Sequence, residues 1–130
     1  MAFQCVIVTP EQQVLDETVT QVIVPAHDGQ IGILTDRAPL LVKLGLGPLR
    51  IDPSGGTSRL LFVEGGIAQM KDNRLTILTN EAIPAHEIDA EAARAEFAEA
   101  TAHQPTDAKG AEERQRRLRR AQMMQDMARK

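Results

Sequence analysis

Aromatic residues are nearly missing from this chain. There are three Phe, no Trp and no Tyr, 2% of the 130 residues. A core must therefore be aliphatic, and the stacking platforms that single-stranded nucleic acid requires are absent. Cys5 is the only cysteine, which excludes an internal disulfide and a cysteine-based zinc site. No apolar run is long enough to cross a membrane as a helix, and the opening MAFQCVIVTP has neither the basic flank nor the apolar stretch of a signal peptide. Any membrane association is expected to come through a partner. The formal net charge of −3 opposes nucleic-acid binding by overall steering. With 42% hydrophobic and 25% charged residues, a folded soluble protein is expected.

Composition changes at Pro84. Residues 1–84 contain 27 Val, Ile and Leu, whereas residues 85–130 contain only Ile88 and Leu118, with 12 Ala and the cluster Met123, Met124 and Met127. The first segment can build a core and the second cannot build much of one. Two domains follow, 1–84 and 85–130.

The first domain reads as short strands: Phe3–Thr9, Thr18–Pro25, Gln30–Leu34, Leu40–Leu44, Leu46–Ile51, Arg59–Glu64, Gly66–Met70 and Arg74–Thr79. Asp28-Gly29, Pro53-Ser54-Gly55-Gly56, Gly65-Gly66 and Asp72-Asn73 supply turns, the last at hairpin spacing. Strands this short indicate an antiparallel sandwich or barrel. No helical stretch separates them, which opposes a parallel α/β sheet. Cys5 alternates with Phe3 and Ile7 and is expected in the core.

The second domain reads as two helices, about Asp89–His103 and Ala111–Ala128, so the fold class is α+β. Asp89 is the expected N-cap, and Glu112, Glu113, Arg129 and Lys130 suit the dipole of the second helix. Residues 87–109 carry six acids and two bases, net −4, while residues 110–130 carry seven bases and three acids, net +4. Folded back on each other, the helices attract. Burial of one Leu-sized side chain is worth about 1.5–3 kcal/mol, and exposed ion pairs add about 0–1 kcal/mol. Helices with good intrinsic propensity but little to bury are expected to be locally stable and weakly docked.

Catalytic patterns do not assemble. His86-Glu87 lacks a histidine at position 90, so the zinc-protease pattern fails. His27 is expected in an exposed turn and His103 at a helix end. Gly45-Leu46-Gly47 is only a fragment of a dinucleotide fingerprint, and no P-loop occurs. Neither enzyme activity nor a cofactor or metal is expected. The arginines Arg114, Arg116, Arg117, Arg119 and Arg120 form a cationic run that is ordinarily a solvated helix face.

An ordered series of segments carries a resemblance. It runs Val8-Thr9-Pro10-Glu11, Pro25-Ala26-His27-Asp28-Gly29-Gln30-Ile31-Gly32-Ile33-Leu34, Ala38-Pro39-Leu40-Leu41 and Gly47-Pro48-Leu49-Arg50-Ile51. It continues through Val63-Glu64-Gly65-Gly66-Ile67-Ala68 and Leu75-Thr76-Ile77-Leu78-Thr79. In these segments the chain resembles the epsilon subunit of bacterial and chloroplast F-type ATP synthases. The resemblance implies a sandwich of about ten strands followed by an α-helical hairpin, in a non-catalytic stalk subunit. It implies gamma and the membrane c-ring as partners of the sandwich, with ring contact in the loop Gly29–Pro39 and therefore at Gln30, Asp36 and Arg37. Thr35-Asp36-Arg37 stands where the family usually has Pro and His before Ala-Pro. The family's hairpin, when extended toward the catalytic alpha and beta subunits, inhibits ATP hydrolysis. With that resemblance, the five arginines are expected to grip acidic partner surfaces. Membrane contact would be indirect, at the cytoplasmic face of a bacterial inner membrane, and no nucleic acid is involved.

Some members bind ATP on the folded hairpin through Ile/Leu-Asp-x-x-Arg-Ala. Here Ile88-Asp89 is followed by Ala92-Ala93 at that spacing, and Arg94-Ala95 comes two residues late. Two residues is about 200° around a helix. Ile88, Asp89 and Arg94 are thus at most a remnant of an ATP site. A soluble nucleotide-sensing module using the hairpin is the alternative function.

Overall fold

The computed structural model describes residues 2–26 and 29–128. The expectations for His27 and Asp28 in a turn, and for Arg129 and Lys130 at the last helix end, lie outside the described residues. The chain divides into two compact units, residues 1–84 and 85–130.

Unit 1 contains nine strands among the described residues: β1 (Phe3–Val8), β2 (Gln13–Ala26), β3 (Gly29–Leu34), β4 (Leu40–Lys43), β5 (Leu46–Pro53), β6 (Arg59–Glu64), β7 (Ile67–Lys71), β8 (Arg74–Leu78) and β9 (Ala82–Pro84). Hydrogen-bonded neighbours run β4-β7-β8-β1-β2-β5-β6-β9, with β3 also on β2. The path folds into a sandwich because β2 serves two layers. Its first half pairs with β1, and its second half lies between β3 and β5. Counted once in each layer, β2 makes two five-stranded sheets, which reconciles the nine strands with the roughly ten expected.

A bulge makes this possible. The register against β5 shifts between Val19 and Gln21, and Thr20 Oγ1 donates to the Asp52 carbonyl at 3.2 Å. Before the bulge the inward residues are odd-numbered, Leu15 and Val19. After it they are even-numbered, Val22 and Val24. One extra residue flips which side chains face the core and increases local twist. Both layers then converge on one aliphatic cluster that includes Cys5, Ile7, Val19, Val22, Ile33, Leu49, Ile51, Val63, Met70, Leu75 and Ile77. Each fully buried side chain of Val, Leu or Ile size contributes about 1.5–3 kcal/mol relative to exposure.

Three sequence-based expectations are corrected. The second strand starts at Gln13 and not at Thr18, because the polar run Asp16-Glu17-Thr18 pairs with Val6, Cys5 and Gln4 of β1. The short edge strand β9 was not anticipated; three residues bounded by Pro84 carry too little periodicity to be seen. The sandwich is also not antiparallel throughout, since β1 and β8 pair in parallel from Gln4↔Arg74 to Val8↔Leu78. Chain-distant strands of this kind leave no local signature.

The turns behave as their residues dictate. Asp72 and Asn73 have φ of 51° and 57° between the paired Lys71 and Arg74, the left-handed pair of a tight hairpin turn. Gly45, part of the fingerprint fragment, serves the strand junctions: its N–H donates to the Pro25 carbonyl at 2.7 Å and its carbonyl accepts from Gly65 N–H at 3.2 Å. Gly66 sits at φ 104°, where a Cβ would lie 1.9 Å from the Leu78 carbonyl oxygen and 2.8 Å from Thr79 Cα.

Unit 2 contains a 3₁₀ turn at Ala85–Glu87, α1 (Ala90–Ala102) and α2 (Ala108–Ala128). Asp89 caps α1 as expected, accepting at Oδ1 from the N–H groups of Glu91 and Ala92 at 3.0 and 3.2 Å. His103 ends α1 through its own N–H, which donates to the Glu99 carbonyl at 3.1 Å. The second helix begins at Ala108 and not Ala111. Asp107 accepts from Gly110 N–H at 2.6 Å and, through its carbonyl, from Ala111 N–H at 3.0 Å. That cap outweighs the helix-weakening Gly110. No described helix is long and apolar enough to cross a membrane.

Replacing Gly66 by Ala is expected to destabilise unit 1 by about 2–4 kcal/mol, because both the left-handed backbone and a backbone clash must be relieved. Gly55→Ala, with open space around it, should stay within about 0.5 kcal/mol of the parent. Denaturant unfolding of the two variants checks both. Cys5 is fully buried, and burial pushes its thiol up to about 12. A thiol reagent at pH 8 is therefore expected to label the denatured chain and spare the folded one.

Candidate functional site

Two surfaces were expected to carry function: the β3–β4 loop and the arginine run of α2.

The loop comprises residues 35–39. Gln30 is exposed on β3 opposite Pro25, whereas Asp36 and Arg37 are exposed in the loop itself. Asp36 has φ 63°. Its N–H donates to Asn73 Oδ1 at 2.8 Å, and its Oδ1 accepts from Asn73 Nδ2 at 2.9 Å. The loop is thereby joined to the β7–β8 turn. Leu34 and Leu41, on either side of the loop, are 56% and 67% exposed. An open groove on the adjoining hairpin is lined by Gln69, Lys71, Asp72, Arg74 and Thr76. The Asp36–Asn73 pair was not found from sequence, since nothing in the spacing of 36 and 73 signals contact. The one usable sign was Asp72-Asn73 as a tight turn.

The arginine run divides by helical position. Arg114, Arg117 and Arg120 are half-buried, and Arg116 and Arg119 are exposed. Three-residue spacing places the first three on one face of α2. Arg114 donates from Nε to the Ala100 carbonyl and from Nη2 to the Thr101 carbonyl, both at 3.0 Å. It satisfies carbonyls that the end of α1 leaves without helical partners. Arg117 Nε donates to Glu96 Oε1 at 2.8 Å, and its Nη2 lies 3.7 Å from Glu99 Oε1. Arg116 pairs with Glu113 on its own helix at 3.5 Å. The opposite charges of the two helices therefore meet, as the sequence implied. Between them the seam is small: Ala93, Ala100 and Ala121 are buried, as is Met127, while Leu118 and Met124 are only partly covered. An alanine methyl contributes only about 0.8 kcal/mol, so side-chain shape leaves this seam shallow.

The remnant of an ATP motif does not converge. The Asp89 carboxylate is engaged by the α1 cap, Arg94 pairs with Glu91 one turn earlier, and Ile88 is fixed by its N–H to the Ala85 carbonyl at 3.2 Å. His86 and His103 are exposed at separate points. Among the described residues no group of three or more His, Cys, Asp or Glu is placed to hold a metal ion.

The Arg117 guanidinium, hydrogen-bonded to Glu96, holds the Glu96 carboxyl below the usual glutamate range. A group whose folded pKa is depressed stabilises above its unfolded pKa and loses that contribution as pH falls through the folded value. Protection of the amides across the α1–α2 seam, taken relative to their intrinsic exchange rate at each pH, should therefore be greatest above the ordinary glutamate range and fall below it. Glu96→Gln is expected to flatten that acid-side response. An unchanged pH profile in this variant would show the pair to be energetically silent.

These surfaces sit on a fold with known relatives. A family model described as the ATP synthase delta/epsilon chain β-sandwich domain matches residues 2–85. An ATP synthase epsilon chain of Rhodopirellula baltica is 41% identical over 100 residues, covering 77% of each chain. One from Pelotomaculum thermopropionicum is 42% identical over 91 residues, covering 68% of this chain and 67% of the relative. Among solved structures, a chain of the Euglena gracilis mitochondrial ATP synthase (OSCP/F1/c-ring) matches with a TM-score of 0.84 and 24% identity, covering 94% of this chain and 78% of that one. A chain of the Tetrahymena thermophila mitochondrial ATP synthase central stalk and c-ring matches at 0.71 and 18%, covering 96% and 95%. At those identities the structures speak for the fold alone. The sequence matches go further, and by them the chain belongs to the ATP synthase delta/epsilon family, among its epsilon chains.

Proposed function

We propose that this chain is a non-catalytic rotor subunit whose sandwich holds gamma against the c-ring while its helical hairpin restrains ATP hydrolysis. The observation that carries the reading is the contrast between the two units. Unit 1 closes on one aliphatic cluster drawn from both sheets. Unit 2 is held by alanine contacts, a shared helix cap and partly exposed ion pairs. A rigid body suits torque transmission. A seam with little apolar burial suits an element that exchanges one set of partners for another at small net free energy.

In this reading Gln30, Asp36 and Arg37 meet the polar surface of the ring. Arg114, Arg116, Arg117, Arg119 and Arg120 are the cationic face that acidic groups of the alpha and beta subunits would engage. Arg114 and Arg117 must then leave the α1 carbonyls and Glu96, and the partner's carboxylates replace those contacts. The subunit is peripheral, on the cytoplasmic face of a bacterial inner membrane, and reaches the membrane only through the complex. Coupling follows from the proton-driven rotation of the assembly and needs no catalytic group on this chain.

Truncation after Pro84 in the assembled complex tests the brake. At low proton-motive force and low ADP, hydrolysis is expected to rise about fivefold or more, within the ordinary range of coupling free energies, while ATP synthesis persists. Unaltered hydrolysis would remove the regulatory role and leave the stalk role intact.

A further inference from the structure

The β3–β4 loop has little packing to define it. Its residues from Asp36 to Pro39 are all exposed, yet Asp36 is held at φ 63°. Left-handed backbone is uncommon for non-glycine residues, Asp and Asn being the most tolerant of it, and a contact from outside the loop can select it. Here the compensating interaction comes from a different hairpin. Asn73 accepts from Asp36 N–H at 2.8 Å and donates to Asp36 Oδ1 at 2.9 Å. The reciprocity fixes the orientation of the amide, since a flip would set donor against donor and acceptor against acceptor.

Asn73 is itself anchored. It is the second left-handed residue of the β7–β8 turn, at φ 57°, and its backbone carbonyl accepts from Gln4 N–H of β1 at 3.0 Å. The side chain therefore transmits the position of a well-formed hairpin to a loop that has no core of its own. Arg37 follows Asp36 directly, so the direction in which its guanidinium leaves the surface depends on the backbone of Asp36. Neither Asp36 nor Asn73 is buried, so this pairing adds little to global stability. It defines a local conformation.

We infer that Asn73 is a positioning residue for the ring-facing surface, holding Asp36 and Arg37 in the conformation in which they meet a polar partner. The inference rests on the proposed ring contact of the β3–β4 loop. The partner it fits is a polar segment able to answer one carboxylate and one guanidinium on adjacent residues.

Asn73→Gly tests this directly. Glycine keeps the left-handed turn but removes the amide. In the full-length chain, exchange of the Asp36 amide is expected to accelerate about tenfold, as loss of one hydrogen bond allows, with the unfolding midpoint nearly unchanged. The double exchange Asp36→Asn with Asn73→Asp again sets donors opposite acceptors and should restore slow exchange, which a purely structural turn residue would not do. In the assembled complex, proton pumping per ATP hydrolysed should fall in Asn73→Gly by about the factor seen in Arg37→Ala. Unchanged Asp36 exchange in Asn73→Gly overturns the inference. So does accelerated exchange with full coupling while Arg37→Ala impairs coupling, an outcome that leaves the ring contact standing. Full coupling in both variants refutes the ring contact itself, and the positioning role with it.

Discussion

The bulge at Thr20 is the constraint on which the sandwich depends. It lets one strand leave the first sheet and enter the second without breaking its backbone pairing, and it reverses the parity of inward side chains as it does so. Leu15 and Val19 face the core on one side of it, and Val22 and Val24 on the other. Without the extra residue, one of those sets would point to solvent, and the two layers could not share a core. The elements that the two layers position depend on that crossing for a common core. These include the β7–β8 turn and, through Asn73, the β3–β4 loop.

Unit 2 is governed by a different balance. Its helices are fixed locally, by Asp89 and Asp107 at their starts, and their mutual contact combines a shallow apolar seam with charged hydrogen bonds. Arg114 is the informative residue. By donating to the last carbonyls of α1 it makes the end of one helix depend on the presence of the other. Arg117 does the same for Glu96. In the proposed function, carboxylates of a partner would replace these contacts, whereas the aliphatic contacts of unit 1 are made within its own core. The two units thus differ less in order than in what could compete with their internal interactions.

Much of this was legible beforehand because it is encoded locally. The change of composition at Pro84, the core position of Cys5, the hairpin at Asp72-Asn73, the α1 cap at Asp89 and the attraction between oppositely charged helices all follow from neighbouring residues. The start of α2 was legible too in principle, through Asp107, but Gly110 obscured it. The ordered segments from Val8 to Thr79 pointed to the family that the relatives then established.

What the sequence by itself determined is the set of elements and their chemistry: short aliphatic strands and two helices of opposite charge. Only the tertiary structure decided which distant residues meet. The parallel pairing of β1 with β8, the division of the arginines into seam and exposed faces, and the joining of Asp36 to Asn73 depend on how strands are laid side by side. The physical reason is range. Propensity, capping and periodicity act over a few residues, whereas the register of strands far apart in the chain is set by mutual burial that no single segment contains.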